Sequence, residues 1–170
     1  MTNCETKPIK DKISIEKLKK SFKLQSYRDY ILFLFCIKTG ILINKIIHLK
    51  AVDVKGKNTI EILTGKNKLK KYIIDDLELQ QELKFYIGNL SDNDYLFPSR
   101  IGQGQKNITP RMVNQIFNKI SKKTGINISG ITLRKTFGWW HYQEQKDLKY
   151  LQILFGHAAP SITRKFIDLE

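Results

Sequence analysis

The stretch Tyr27-Arg-Asp-Tyr-Ile-Leu-Phe-Leu-Phe-Cys-Ile-Lys-Thr39 is apolar on nearly all sides when it is wound as a helix. A helix of this kind belongs in the interior of a domain, because it has no polar stripe to turn toward water. Ser26 precedes the stretch, and Gly40 follows it as the residue type that commonly ends a helix. We therefore expect a buried helix here, with the rest of the chain packed around it.

Helices and one small sheet are predicted on either side of this stretch. Three short β-prone runs separated by Gly56-Lys-Asn and Gly65-Lys-Asn predict an antiparallel meander; the runs are Val52-Asp-Val-Lys, Thr59-Ile-Glu-Ile-Leu and Tyr72-Ile-Ile. The predicted helices run from Ser14 to about Lys23, Ile43 to about Leu49, Asp75 onward, Thr109-Pro110 onward, Thr132 to about Gln145, Asp147 to Phe155 and Pro160 to Phe166. The expected fold class is mainly α with a small three-stranded antiparallel β-sheet.

Length and composition predict one compact domain. The chain has 170 residues, 41% of them hydrophobic, which is enough for a core and too many for a disordered chain. Its apolar runs are too short to cross a bilayer, and the polar N-terminus lacks the apolar segment of a secretion signal. Two distant cysteines, Cys4 and Cys36, exclude a disulfide scaffold and a cysteine-rich zinc module. We expect a soluble, cytoplasmic protein with a flexible leader over 1–13 and its domain over 14–170.

Net charge is the clearest compositional sign of a partner. Thirty basic residues against sixteen acidic ones give a net charge of +14 and a pI near 9.7. An excess of this size favours a polyanionic partner, with nucleic acid ahead of a membrane surface. The alternative is a lysine-rich solvated surface without a specific partner, since 25 of the 30 basic residues are lysines.

Four segments, in this order, resemble the catalytic domain of the tyrosine recombinases, the phage integrase family. Thr39-Gly-Ile-Leu-Ile-Asn-Lys is similar to the family's Thr-Gly-Leu-Arg-Ile-Ser-Glu, and Thr64-Gly-Lys-Asn-Lys with Tyr95-Leu-Phe-Pro is similar to its hairpin region. Ile131-Thr-Leu-Arg-Lys-Thr-Phe resembles His-x-Leu-Arg-His-Thr-Phe, and Leu154-Phe-Gly-His through Phe166 resembles Leu-Gly-His-x-x-x-x-Thr-x-x-Tyr. The resemblance covers roughly residues 10–170. It is to short, integrase-like forms without the core-binding domain, and it implies the DNA breaking-and-rejoining catalytic-domain fold.

The resemblance also implies a chemistry that this sequence only partly supports. In the family a tyrosine attacks a DNA phosphate, two arginines clamp its oxygens, and a hairpin lysine and two further side chains move protons. No metal or ATP takes part, so no cofactor is expected, and three scattered histidines give no metal site. Here the tyrosine position is Phe166, the first arginine position is Leu42 and the histidine position is Ile131. Phenylalanine has no oxygen nucleophile, and a lost donor of this kind costs about 10²–10³ in rate. We therefore expect a degenerate site that does not cut DNA in cis.

Two residues match the family's motifs, and the resemblance implies a residual phosphate site around them. They are Arg134 and His157. The lysine position depends on the alignment: Gly65-Lys-Asn-Lys places Lys66 there, which we favour, whereas the family's Lys-Thr-Gly form places Leu63 there. The alternative to a phosphate site is structural, with Arg134 holding a helix terminus and His157 serving as a capping or core residue.

Further DNA contacts are expected from basic residues on the hairpin and on two helices. Lys66, Lys68 and Lys70 alternate along the hairpin, which in the family approaches DNA; lysines that discourage edge pairing are the alternative. Lys135 follows Arg134 directly. A polar stripe at spacings of three and four begins just after Pro110, and it faces either a DNA groove or solvent; it consists of Arg111, Asn114, Asn118 and Lys122.

Together these observations favour a DNA-binding tyrosine-recombinase homologue linked to DNA integration and recombination in mobile elements. We expect it to bind duplex DNA without cutting it and to act as a regulator or repressor, as a homodimer or beside a full-length integrase. Two other functions stay open. One is an active recombinase with unorthodox residues or a nucleophile from another chain, and the other is a protein-interaction partner of an integrase that touches DNA little.

Overall fold

A mainly helical domain with one small sheet is seen in a computed structural model, which describes residues 6–65, 67–101 and 105–169. The sheet pairs strands β1 (Thr59–Leu63) and β2 (Leu69–Ile73). The helices are α1 (Lys12–Gln25), α2 (Tyr27–Thr39), α3 (Ile43–Ile46), α4 (Ala51–Val54), α5 (Leu77–Ile87), α6 (Pro110–Thr124), α7 (Gly130–Gln145), α8 (Leu148–Phe155) and α9 (Pro160–Phe166).

Helix α2 forms the centre of the hydrophobic core, as its apolar pattern predicts. Its residues from Tyr30 to Ile37 are all buried, and it packs against α1, α5 and α7. Gly40 ends the helix in the left-handed conformation, with a φ of 64°. Phe137 of α7 lies so close to Gly40 that a Cβ atom at residue 40 would overlap its ring. The end of α2 is therefore in direct contact with the middle of α7.

The sheet has two strands, so the prediction of a three-stranded meander was wrong. β1 and β2 are antiparallel, with Thr59 opposite Ile73 and Leu63 opposite Leu69. The run expected as a further strand forms α4 instead. The Asp53 carboxylate accepts a hydrogen bond from the Lys50 backbone N–H, which closes the first turn of a helix. The Ala51 and Val52 N–H groups bond to carbonyls of the loop after α5, so they do not pair with β1.

Most predicted helices are present, with shifted ends. α1 begins at Lys12, capped by Asp11, and not after Ser14. Thr109 caps α6 and Pro110 is its first residue, as predicted. α7 begins at Gly130 because the Ser129 side chain accepts from the Thr132 N–H.

Residues 6–11, which we name the N-terminal segment, pack along α7, although the sequence predicted a flexible leader over 1–13. The Ile9 N–H donates to Thr136 Oγ1 at 2.9 Å, and the Ile9 carbonyl accepts from Trp140 Nε1 at 3.0 Å. Lys10 pairs with Asp168, which follows α9, at 2.6 Å. Residues 1–5 lie outside the described residues.

Candidate functional site

Arg134 lies at the centre of the candidate site, in the N-terminal half of α7. Its guanidinium donates to the Gly40 carbonyl at the end of α2 and, at 3.5 Å, to the Leu154 carbonyl of α8. Its Cζ atom is 4.7 Å from the centroid of the Phe155 ring, within cation–π range. Burial lowers the pKa of Arg134 from its usual value, but a guanidinium stays charged at neutral pH. The site is therefore built around a partly buried cation at the junction of α2, α7 and α8.

Lys70 of β2 points to the same carbonyl groups. Its Nζ donates to the Ile153 carbonyl at 2.8 Å and to the Leu154 carbonyl at 2.9 Å, so it shares an acceptor with Arg134. These carbonyls lie at the C-terminal end of α8, the end of a helix that favours a positive charge. Burial and the neighbouring Arg134 charge both lower the pKa of Lys70.

His157, which follows α8, lies beside Arg134 and within a group of aromatic rings. Its Nδ1 is 3.0 Å from Thr163 Oγ1. Burial and the Arg134 charge both lower the pKa of His157 below its usual 6.5, so the ring is mainly neutral at pH 7. His157, Phe155 and Phe166 form what we call the ring cluster, with centroids 5.0 to 5.5 Å apart.

Lys135 connects the site to the N-terminal segment. Its Nζ donates to the Thr6 carbonyl at 2.6 Å and lies 5.4 Å from the centroid of the Phe166 ring. We name Arg134, Lys70, His157 and Lys135 the Arg134 cluster. Lys135 thus lies beside the position at which the sequence analysis placed a missing nucleophile.

The positive charge of the Arg134 cluster is not neutralised by acidic side chains. Among the described residues, no carboxylate lies within ion-pair distance of Arg134, Lys70 or Lys135. Burial and, to a smaller extent, the nearby Arg134 charge lower the pKa values of both Lys70 and His157. An anion bound at this point would offset part of this positive charge. A phosphate group could accept charge-assisted hydrogen bonds from both Arg134 and Lys70.

The three positions at which a lost catalytic side chain was predicted from the sequence lie around Arg134. Leu42 is two residues beyond Gly40, whose carbonyl binds Arg134, and 51% of its surface is exposed. Ile131 lies three residues before Arg134 on α7 and is 53% exposed. Phe166 is half-buried in the ring cluster. None of the three side chains can donate a hydrogen bond or act as an oxygen nucleophile.

The hairpin leaves the choice of lysine position open. Lys66 lies outside the described residues. Leu63 is 53% exposed at the end of β1, and its carbonyl accepts a hydrogen bond from Lys45 Nζ at 3.0 Å. Lys68 is exposed near the tip of the hairpin, whereas Lys70 reaches the centre of the site.

The polar stripe predicted on α6 lies on the exposed face of that helix. Its four members are all exposed, as a solvated or DNA-facing stripe requires; they are Arg111, Asn114, Asn118 and Lys122. The opposite face of α6 packs against α1.

Sequence reasoning missed two side chains that shape the site. Phe155 provides the ring on which Arg134 stacks, and Thr163 holds the His157 ring. Both lie inside the segment from Leu154 to Phe166 that carries the fourth motif, so their position in the chain was a signal. Their roles depend on the fold of α8 against α9, which the motif does not specify.

Membrane spans and metal clusters are both absent from the described residues. No helix in these ranges is long and apolar enough to span a membrane. No group of three or more His, Cys, Asp or Glu side chains in that part of the chain could hold a metal ion.

Comparison with known sequences gives consistent matches over nearly the whole chain. The sequence profile of the phage integrase family matches residues 11–170. A probable integrase/recombinase, YoeC of Bacillus subtilis, is 33% identical over 164 residues, covering 96% of this chain and 90% of its own length. The tyrosine recombinase XerA of Pyrococcus furiosus is 26% identical, covering 88% of this chain and 53% of its own length. The chain thus spans most of YoeC but about half of the XerA relatives.

Comparison with solved structures confirms the fold. The XerA recombinase structure superposes with a TM-score of 0.78 at 22% identity, covering 96% of this chain and 61% of that one. The XerH site-specific recombinase, solved bound to its difH substrate, superposes with a TM-score of 0.73 at 20% identity, covering 98% and 52%. At these identities the likeness concerns the fold alone.

Proposed function

The chain belongs to the phage integrase family of tyrosine recombinases, and from that premise we propose that it binds duplex DNA through the Arg134 cluster without cleaving it. We further propose that it acts as a DNA-binding regulator of integration or recombination. The observation that carries the proposal is the convergence of Arg134, Lys70 and His157 at a point without an ion-paired carboxylate among the described residues.

The charge of the cluster supports a phosphodiester as the ligand. The planar guanidinium of Arg134 can bind two phosphate oxygens at once, and the Lys70 ammonium adds a second positive charge beside it. The chain as a whole carries +14, which attracts a polyanion over a longer range. The XerH relative was solved with its DNA substrate, so the same fold binds DNA in that protein.

The substitutions around Arg134 support binding without cleavage. Covalent catalysis needs an oxygen nucleophile, and Phe166 has none. Leu42 and Ile131 remove a phosphate donor and a proton-transfer group from the same site. These are three losses of different chemistry, which a single substitution would not reverse.

DNA binding is tested by retention of a random duplex library at about physiological salt, followed by sequencing and by affinity measurements on the retained DNA. We expect affinity to fall steeply with salt, because phosphate contacts release counterions. Lys70→Gln should weaken binding about five- to tenfold and reduce the salt slope by about one. Lys84→Gln, at an exposed position of α5, is the matched control and should bind like the original protein.

Each result of that experiment has a definite meaning. An enriched palindrome would support a dimeric, site-specific regulator, and retention without a motif would support a phosphate binder that depends on another protein for its target. Absence of retention would overturn DNA binding and favour the protein-interaction function. An equal loss for Lys84→Gln and Lys70→Gln would overturn the assignment of the site.

Cleavage is tested with nicked suicide substrates, which trap any covalent protein–DNA adduct. We expect no adduct from the original protein. Phe166→Tyr, the conservative variant, should also give none, because Leu42 still supplies no second phosphate donor and Ile131 no proton-transfer group. An adduct from the original protein would overturn the proposal and support an unorthodox recombinase.

A further inference from the structure

A second candidate site lies toward the other end of α7, away from Arg134. A cavity of about 820 Å³ opens there among α1, α7, the start of α8 and the end of β2. Four of its lining side chains are aromatic rings, namely Phe137, Trp140, His141 and Tyr150. His141 lies about 10 Å along α7 from Arg134 at the helical rise of 1.5 Å per residue. None of the four members of the Arg134 cluster lines the cavity.

The cavity carries negative charge on a strongly positive protein. Asp75, Glu144 and Asp147 line it, and within the described ranges none of the three forms an ion pair. The negative charge of these carboxylates acts on the rings that line the cavity. Burial raises the pKa of Tyr150, and the nearby charges of Asp75 and Asp147 raise it further. Burial lowers the pKa of His141, while the charges of Asp147 and Glu144 act in the opposite direction.

Two of the three lysines that line the cavity are already paired with other carboxylates. Lys19 is paired with Glu78 at 2.7 Å and with Glu16 at 3.0 Å. Lys38 is paired with Asp76 and with Glu78, each at 3.1 Å. Both ammonium groups are thus paired with carboxylates, which belong to Glu16 of α1, Glu78 of α5 and Asp76 just before α5.

The third lysine of the cavity, Lys12, is a cation that lies near one of the aromatic rings. Lys12 Nζ lies 5.8 Å from the centroid of the Trp140 ring, so a cation already approaches this surface from α1. The His141 ring lines the same cavity, with its centroid 4.8 Å from that of Tyr150 and 5.5 Å from that of Phe137.

We propose that this cavity binds an organic cation with a guanidinium or ammonium group. The cation would lie against the aromatic rings and pair with Asp75 and Glu144. Aromatic faces and carboxylates together recognise this class of ligand, and they repel phosphate. The cation can be a free small molecule or a basic side chain of a partner protein, which share this chemistry.

Calorimetric titration of the intact protein with two probes, agmatine and a capped Gly-Arg-Gly peptide, tests the proposal. We expect at least one probe to bind, although the net charge of the protein is +14 and repels cations in general. Glu144→Gln and Asp75→Asn should each weaken binding about tenfold, through loss of a charge-assisted contact. Both residues are exposed, so neither change is expected to affect folding, and a thermal melt verifies this.

Asp92→Asn is the matched control, since Asp92 is an exposed carboxylate in an ion pair with Lys55, away from the cavity. It should bind the probes like the original protein. Binding of the peptide alone would assign the cation to a partner protein, and binding of agmatine alone would assign it to a small molecule. Absence of binding at about 10 mM, or equal binding by the Glu144 and Asp75 variants, would overturn the proposal. DNA affinity measured on the same variants stays unchanged if the two sites are separate.

Discussion

Arg134 is positioned by the protein's own carbonyl groups, so its orientation does not depend on a ligand. It reaches the carbonyls of Gly40 and Leu154 while it lies over the Phe155 ring. A planar, five-donor group can do all three at once, and an ammonium cannot. This geometry predicts that charge alone will not replace Arg134.

Arg134→Lys should therefore lower both stability and DNA affinity. Loss of the charged hydrogen bond to Gly40 should cost about 1.5–3 kcal/mol of unfolding free energy, measured by urea denaturation. DNA affinity, measured by fluorescence anisotropy, should fall about tenfold. Arg111→Lys, at an exposed position of α6, should leave stability unchanged. Full stability and full affinity for Arg134→Lys would contradict the central role of the guanidinium.

His157 should titrate below 6.5 in the free protein, because burial and the Arg134 charge both disfavour its protonated form. A histidine with a lowered folded-state pKa stabilises the fold above its unfolded value, and this contribution is lost as the pH falls through the folded pKa. The window therefore lies below about pH 6.5. Bound DNA should raise the pKa, since phosphate favours the charged ring.

The titration is read from the ring carbon–proton signals by NMR, with His157→Gln to assign the resonance. A midpoint at or above 6.5 without DNA would contradict the arrangement of His157 beside Arg134. A midpoint that does not move on adding DNA would separate His157 from the phosphate site.

The sequence predicted the composition of this site better than its geometry. Arg134 and His157 were expected from motifs, and the structure places both in one cluster with Lys70. The role of Phe155 was not predicted, because cation stacking depends on how α8 is oriented against α7. The hydrogen bond from Lys135 to the Thr6 carbonyl was also not predicted, because it joins residues at opposite ends of the chain.

Among the elements, the contact between α2 and α7 carries the strictest steric requirement. Gly40 has a φ of 64°, and Phe137 leaves no room for a Cβ atom beside it. Gly125, at the end of α6, has a φ of 71°, but a Cβ atom added there would meet nothing within 4 Å. The two glycines share the backbone conformation and differ in the space around them.

Gly40→Ala should cost about 2–4 kcal/mol of unfolding free energy, as the sum of backbone strain and overpacking. Gly125→Ala should cost only about 1–2 kcal/mol, the strain alone. Thermal unfolding of both variants measures the difference. Equal losses would show that α7 shifts away from residue 40 without cost, which would contradict close packing at this junction.

Periodicity was sufficient for the helices and misleading for the segment around Val52. A short run of valines separated by polar residues fits a strand, but a four-residue helix fits it equally well. The choice was decided by the Asp53 cap and by carbonyls of the loop near Asp92 and Asp94, which lie far away in sequence. The carbonyl contacts are not visible in a local pattern, whereas the Asp53 cap spans only three residues and was not recognised.

At the scale of the whole molecule, the acidic residues of α5 and the turn before it neutralise one side of the domain. Lys19, Lys23 and Lys38 form ion pairs there, with Glu78, Glu82 and Asp76 among their partners. No basic side chain of the hairpin or of the start of α7 forms an ion pair among the described residues. Lys68 and Lys70 therefore keep their charge available for a polyanion.

Lysine labelling with and without DNA should reveal this asymmetry. We expect bound duplex to reduce modification of Lys68 and Lys70 several-fold, because phosphates cover the ammonium groups. Modification of Lys23 and Lys84 should not change. Mass spectrometry of the digested protein measures each site, and uniform protection of all lysines would contradict a single DNA-binding side.

The central position of α2 has a consequence for how the protein folds during its synthesis. Its apolar surface is covered partly by α7, which begins at Gly130. A ribosome that adds about 5–20 residues per second releases α2 roughly 5–20 seconds before α7 is available to cover it. During that interval the nascent chain exposes an apolar helix, which is the kind of surface that chaperones bind. The yield of the protein in a cell should thus depend on chaperone supply and translation speed as much as on the stability of the finished fold.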